Sequence, residues 1–254
     1  MTKMILHGCN GRMGKMIQGI VKEDSDITIV AGVDLITDSD GGFPVFDSID
    51  KVTQDADVVV DFGNAAALDK LLDWCIDKKM PLVECTTGLS EAQLGRIKDA
   101  AGKIAMFKSA NMSLGINLIQ KILKENAATL AEAGFDIEIV EKHHRNKLDA
   151  PSGTALALAD SVNDGLSERK DIVFDRSERR MVRPDSEIGI SAIRGGTIVG
   201  DHDVIFAGQD EVITFSHTAY SRAVFAKGAV QAAKYVAGKS AGAYDMSDVI
   251  EDRQ

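Results

Sequence analysis

Residues 3–34 read KMILHGCNGRMGKMIQGIVKEDSDITIVAGVD, and the reading of this stretch decides the fold. Met4, Ile5 and Leu6 make an apolar run of strand length. Glycines 8, 11 and 14 follow at once, spaced G-x-x-G-x-x-G. Met13, Met16, Ile17, Ile20 and Val21 then fall at i, i+3, i+4, i+7 and i+8, the stripe of one helix face. Ile27–Val33 is a second apolar run, closed by Asp34. Strand, glycine turn, helix and strand make a βαβ unit, whose strands lie parallel with the helix across them.

The turn has a chemical use. Gly8 and Gly11 permit a tight bend and a close approach of backbone to a pyrophosphate. Gly14 lets the helix lie close to the strand. Cys9, Asn10, Arg12 and Met13 complete the loop, and the helix N-terminus offers free N–H groups to an anion. Glycines cluster in many turns, and this spacing departs from the common G-x-G-x-x-G. Asp34 strengthens the case, because it stands twenty residues after Gly14, where such folds set an acid against the ribose hydroxyls. A carboxylate there favours NADH and repels the 2′-phosphate of NADPH. Leu35 follows where an arginine would hold that phosphate, while Arg12 leaves NADPH open as a second nucleotide. Otherwise Asp34 is a plain strand-end turn residue.

Outward from this unit, Val58–Val60, Pro81–Val83 and Ile104–Phe107 read as further buried strands, with helices at 65–78 and 90–102. Beyond residue 115 the grammar changes. One long helix spans Ile116–Leu130, a half-buried strand Asp136–Val140, and a helix 155–165. Strand-like runs follow at 188–193, 197–199, 204–207 and 212–215, with 165–187 a polar loop. A last helix carries Phe225, Gly228, Ala229, Ala232 and Val236. The expected fold is α/β: a Rossmann-like parallel-sheet domain (1–112 and 223–254) and a smaller α+β domain (113–222) with an open mixed sheet.

A net charge of −10 argues against nucleic acid, whose binders carry a basic excess. The dense basic patches are KHHRNK at 142–147 and the arginines of 176–183. Apolar runs are too short to span a bilayer, no signal peptide is evident at the start, and Cys9, Cys75 and Cys85 lack CxxC spacing. A reduced, cytoplasmic protein is expected, with no membrane partner.

Residues 141–155, EKHHRNKLDAPSGTA, crowd chemistry between a strand and a helix. Pro151 suits a first helical turn, and Asp149 or Ser152 would cap it. Ser152, Gly153 and Thr154 then present hydroxyl and N–H groups at a helix N-terminus, suited to a carboxylate, and Lys147 adds positive charge. His143 and His144 titrate near neutrality, as a proton partner to hydride transfer would. The plainer alternative is a solvated loop with one core and one surface histidine. A zinc site drawing on His143 or His144 with His202 and His217 lacks metal-ligand spacing, and no metal is expected.

Taken together, GCNGRMG, CTTG at 85–88, SANMSLGIN at 109–117, EKHHRNKLDAPSGTA, RGGTIVGDHDVIF at 194–206 and HTAYSRAVFAKGA at 217–229 resemble the dihydrodipicolinate reductase family from end to end. The resemblance implies NAD(P)H-dependent reduction of 4-hydroxy-tetrahydrodipicolinate in lysine and diaminopimelate biosynthesis. It makes Cys9 to Gly14, Asp34, Cys85, Thr86, Thr87 and Ala110, Asn111, Met112 and Ser113 cofactor-binding. His143 becomes the proton donor or acceptor and Lys147 a second donor. His144, Ser152, Gly153 and Thr154 become substrate-binding, with Arg194 and Arg222 as neighbours. It also implies a small dicarboxylate substrate and a homotetramer formed through the substrate-domain sheets. Cys85 departs from the family's usual glycine and Met112 from its phenylalanine, which bears on cofactor preference. Other readings are a semialdehyde dehydrogenase using Cys85, or a nucleotide sensor without chemistry.

Overall fold

The computed structural model describes residues 1–38 and 41–252. Residues 39, 40, 253 and 254, all within the expected nucleotide domain, lie outside the described residues. The chain forms two compact units, one of Met1–Ser113 with the chain from Ala223 onward, the other Leu114–Arg222.

The first unit starts with β1 (Thr2–His7), α1 (Arg12–Lys22) and β2 (Ile27–Val33). It continues with β3 (Val45–Phe46), β4 (Val58–Asp61), α2 (Leu68–Lys78), β5 (Leu82–Glu84), α3 (Glu91–Ala101) and β6 (Ala105–Phe107). The central strands are wholly buried, as in the run Val58, Val59, Val60, because helices shield both faces of a parallel sheet. All pairings are parallel, and β1 lies between β2 and β4, where the strand order reverses. Ile5, Val59 and Leu82 pack under Leu68, Leu72 and Ile97 of α2 and α3.

The second unit holds α4 (Leu114–Glu132), β7 (Asp136–His143), α5 (Gly153–Gly165), β8 (Asp171–Val173), β9 (Glu187–Arg194), β10 (Gly200–Ala207) and β11 (Val212–Ala219). Its sheet runs β11-β10-β7-β9-β8 and is mixed: β10 is antiparallel to β7 and β11, while β7, β9 and β8 are parallel. Alternate residues of β7 and β10, among them Ile137, Ile139, Val204 and Phe206, bury against Leu123, Leu158 and Val162. Gly165 allows α5 to meet α4, since a Cβ there would stand 2.3 Å from the Lys124 carbonyl oxygen. The chain then re-enters the first unit as α6 (Ala223–Val236), β12 (Gly242–Tyr244) beside β6, and α7 (Met246–Glu251).

Several expectations need correction. Residues 197–199 form no strand: Thr197 belongs to a turn beside which Gly195 N–H donates to the His143 carbonyl and Arg145 N–H to that of Gly196, and Ile198 and Val199 follow it. The run 204–207 is the second half of β10. The expected loop 165–187 contains the edge strand β8, too short to show a period. Three of the four arginines of 176–183 are spent internally, Arg176 and Arg183 on Glu138, Arg179 on Glu187, and Arg183 also on Asp136, while Arg180 is exposed with no such partner among the described residues, so this patch is not a free basic surface. No described helix is long and apolar enough to cross a membrane.

Candidate active site

The glycine turn of the first unit is shaped by close approaches. Gly8 has φ +75°, and a Cβ on it would stand 2.4 Å from the Phe62 carbonyl oxygen. A Cβ on Gly14 would stand 2.3 Å from the carbonyl oxygens of Gly8 and Cys9. Helix α1 begins after Gly11 without any side-chain cap, so its first-turn N–H groups are not claimed by a cap. Asp34 braces the loop: its Oδ2 accepts the Asn10 N–H at 2.9 Å and its Oδ1 that of Ile36 at 3.3 Å. Asn10 Nδ2 donates to the Ile36 and Asp38 carbonyls at 2.7 and 3.1 Å.

Two clefts flank this loop. One, of ≈ 440 Å³, is lined by His7, Gly8, Gly11, Asp34 and Leu35. The other, of ≈ 810 Å³, is lined by Arg12, Met13, Glu84, Cys85, Thr86, Thr87, Lys108, Ala110, Asn111 and Met112. Gly11, Phe62 and Gly63 border both. An uncapped helix end between two joined clefts, with an acid at the tip of β2, fits a dinucleotide. Cys9, Asn10, Gly14 and Ser113 do not line either cleft. Cys9 is fully buried with its sulfur against Gly32, so its thiol serves the core. Ser113 N–H donates to Asn111 Oδ1 at 2.8 Å. Burial raises the Cys85 thiol well above its ordinary value, which holds it protonated and opposes use as a nucleophile.

The floor of these clefts holds groups that the motifs did not flag. His7, Asp61 and Glu84 end β1, β4 and β5 in adjacent registers. His7 Nδ1 donates to Asp61 Oδ1 at 2.5 Å, Thr86 Oγ1 to Asp61 Oδ2 at 3.0 Å, and Thr86 N–H to Glu84 Oε1 at 2.7 Å. Each closes an apolar strand (MILH, VVVD, LVE), and that shared position was the available signal.

In the second unit Glu141 is the hub. Strand alternation puts it on the same buried face as His143. Its Oε2 accepts His143 Nδ1 at 2.6 Å and Arg194 at 2.7 Å; its Oε1 accepts Ser152 N–H at 2.9 Å and Arg194 at 2.7 Å. Burial by itself would raise its pKa. The bonds from Arg194, His143 and the Ser152 N–H outweigh burial, and the carboxyl stays below its usual range. An ionised carboxylate only accepts, so the His143 proton sits on Nδ1 and the lone pair on Nε2. Burial lowers the His143 pKa, partly opposed by Glu141. Gly200 clears Nε2, since a Cβ there would lie 3.0 Å away.

Ser152, not Asp149, caps α5, accepting the Ala155 N–H at 3.1 Å; Pro151 precedes the cap rather than entering the first turn. The Ser152 hydroxyl meets His202 Nε2 at 3.0 Å, and burial, then the neighbouring His143, lowers His202 to about 4. The His143 and His202 rings meet edge to face at 5.2 Å. Asp149 pairs with Lys147 at 2.9 Å. His144 is half-buried, Gly153 and Thr154 open α5, and Arg222 is exposed at the end of the unit. Among the described residues, no group of three or more His, Cys, Asp or Glu side chains is placed to hold a metal ion. Glu141 was missed although it lies two residues before His143 in a period-2 strand. His202 could be placed only by the pairing of β10 with β7.

Known proteins match this arrangement over the whole chain. The family model described as dihydrodipicolinate reductase, N-terminus, matches residues 2–112, and its C-terminus counterpart matches residues 115–250. The 4-hydroxy-tetrahydrodipicolinate reductase of Caldanaerobacter subterraneus subsp. tengcongensis is 49% identical over 251 residues, covering 99% of both chains. That of Clostridium novyi is 50% identical over 254 residues, covering 100% of both. A dipicolinate-bound dihydrodipicolinate reductase from Paenisporosarcina sp. TG-14 shares the fold, with TM-score 0.78 and 24% identity over 96% of this chain and 97% of that one. With both halves matched in order and half of its residues shared with a full-length relative, the chain belongs to the dihydrodipicolinate reductase family.

Proposed function

We propose that this enzyme reduces 4-hydroxy-tetrahydrodipicolinate to tetrahydrodipicolinate with a nicotinamide dinucleotide, in the cytoplasm, as a step of lysine and diaminopimelate biosynthesis. The observation that carries this reading is the Glu141–Arg194–His143 cluster set against the N-terminus of α5, with Lys147 nearby. When bound, the dinucleotide supplies hydride for C4 of the substrate. Gly8, Gly11 and the open end of α1 bind its pyrophosphate, Asp34 its ribose, and Thr86, Thr87 and Ala110 to Met112 its nicotinamide end.

The second unit binds the dicarboxylate. The first turn of α5 and Lys147 take a carboxylate, each charge-assisted bond contributing about 1.5–3 kcal/mol. His144 and Thr154 add contacts. Loss of water takes a proton from the carbon beside C4 and the hydroxyl, protonated as it leaves, from C4; hydride addition at C4 then returns a proton to that neighbouring carbon. His143 is kept neutral by burial, with its Nε2 lone pair cleared by Gly200, and accepts the proton. Lys147, an ammonium paired with Asp149, donates one. Glu141 fixes the ring and its tautomer. The homotetramer draws support from exposed Ile193 and Val212 on the sheet of the second unit.

Asp34 and the exposed Leu35 favour NADH over NADPH, and no metal takes part. The test is direct: substrate is generated from pyruvate and aspartate semialdehyde by the upstream synthase, and nicotinamide absorbance is followed on adding this protein. Turnover with a higher kcat/KM for NADH is expected. Turnover with neither nucleotide refutes the reaction, and comparable values for both refute the preference.

A further inference from the structure

The buried acid pair beneath the nucleotide clefts is left unused by the reaction above. Asp61 and Glu84 are both fully buried, on paired residues of neighbouring parallel strands. Every oxygen of Asp61 is engaged: Oδ1 accepts from His7 and from the Gly63 N–H, and Oδ2 from Thr86. Glu84 Oε1 accepts the Thr86 N–H, while Oε2 is buried with no donor to accept from. Thr86 bonds to both side chains, its N–H to Glu84 and its hydroxyl to Asp61, so the two carboxyls meet side by side on paired residues. Two ionised carboxylates so placed would face each other without water, which costs far more than one shared proton. A proton on Oε2 turns that contact into a carboxylic acid donating to a carboxylate, and leaves no oxygen stranded.

We propose that His7, Asp61 and Glu84 form a positioning chain of the nucleotide site, in which Glu84 carries a proton donated to Asp61, and that losing this proton weakens nucleotide binding. The proposal rests on the reading of the two clefts as a nucleotide site. Geometry connects the pair to both. His7 lines one cleft and Glu84 and Thr86 the other, and Gly63, whose N–H is held by Asp61, borders both. A Cβ on Gly63 would stand 2.6 Å from the His7 ring, so the turn after β4 lies directly on the imidazole. Thr86 is bound to both acids at once. Ionising Glu84 drives the two carboxylates apart, strains the Thr86 anchor and adds negative charge beneath a polyanionic ligand.

The charge balance agrees. Burial, then the charge of Asp61, raises the Glu84 pKa to about 9, so the acid is protonated at neutral pH. Burial opposes ionisation of Asp61 as well, but the bond from His7 and its charge outweigh this and hold Asp61 low. The other groups facing the pair are the Cys75 thiol from α2, the Cys85 thiol beyond β5 and Lys108 beyond β6. Burial raises both thiols, and they stay neutral through the range in which Glu84 titrates. Lys108 is common to wild type and variant.

The test compares NADH affinity, from the fluorescence of the bound dinucleotide, for wild type and Glu84→Gln. The glutamine amide keeps one oxygen for the Thr86 N–H and one N–H for Asp61, but cannot ionise. Between about pH 8 and about pH 10 the wild-type Kd should rise at least about fivefold, while that of Glu84→Gln, whatever its value at the lower pH, changes less than about twofold. Infrared spectra of wild type without nucleotide should show a protonated-carboxyl stretch at about pH 8 that fades towards about pH 10. That band decides the matter by itself if the variant does not fold, and its absence overturns the proposal. Superimposable pH curves for the two proteins, with NADH bound at the lower pH, overturn it and leave the nucleotide reading standing. No NADH binding at all at the lower pH overturns both.

Discussion

Glu141 does for His143 what no residue of the EKHHRNKLDAPSGTA loop does: it decides which ring nitrogen carries the proton. With Nδ1–H donated to a carboxylate that also holds Arg194 and the Ser152 N–H, the imidazole can act only through Nε2. In the proposed reaction His143 and Lys147 carry the protons, and His143→Ala and Lys147→Ala should each lower turnover at least about a hundredfold. Glu141→Gln acts one step back. An amide offers Nδ1 an ambiguous partner and leaves the Arg194 guanidinium short of charge, so kcat should fall about 10- to 100-fold with little change in KM. It should also destabilise the fold by about 2–4 kcal/mol, since one member of a buried pair is lost. Steady-state kinetics with urea unfolding checks both effects, and normal turnover in Glu141→Gln would remove it from the account. That sequence reading singled out His143 but passed over Glu141 has a physical cause. Histidines next to lysine and Ser-Gly-Thr advertise chemistry, whereas one glutamate among 39 acidic residues becomes conspicuous only when burial strips it of water.

At the scale of elements, β7, β9 and β10 build the Glu141–His143–Arg194 cluster by register. Glu141 stands opposite both His202 and Ala192, and His143 opposite Arg194, so the cluster depends on three strands that are distant in the chain. This placement carries a consequence for stability against pH. His202 is lowered to about 4, and burial lowers His143 and His217 as well. Between the unfolded value and the folded one, the unfolded chain binds more protons. Stability is therefore complete above about pH 6.5 and is lost as pH falls towards the folded values, with His202 accounting for on the order of 3 kcal/mol. Urea unfolding from about pH 7 to about pH 4 should show this decline, and His202→Gln, which keeps a partner for Ser152, should flatten it. Equal slopes in both proteins would contradict the assignment. Elements with a strong local period were legible: β1, α1, β2, α4 and α5 lie close to where hydrophobic spacing put them. β3, β8 and β12 were not, because two or three residues at a sheet edge show no period and form only when a neighbouring strand exists to receive them.

At the scale of the molecule, the chain divides its chemistry between a parallel sheet and a mixed one. The change of grammar after residue 115 reported this, because continuous apolar runs suit strands shielded on both faces and alternation suits strands shielded on one. The glycine loop and Asp34 pointed to a nucleotide, and two clefts border that loop where the proposal puts one. The acid pair beneath them was not legible, since His7, Asp61 and Glu84 look like ordinary strand ends until the order β5-β4-β1 sets them side by side. The central claim is a hydride delivered to C4 of a dicarboxylate held by the second unit. It is tested most directly by turning over enzymatically generated 4-hydroxy-tetrahydrodipicolinate with NADH deuterated at one or the other face of its nicotinamide C4, and locating the label in the product by mass spectrometry and NMR. One of the two deuterated forms should place a single deuterium at C4 of tetrahydrodipicolinate. A product without deuterium from either form, or with deuterium at another carbon, would contradict the account.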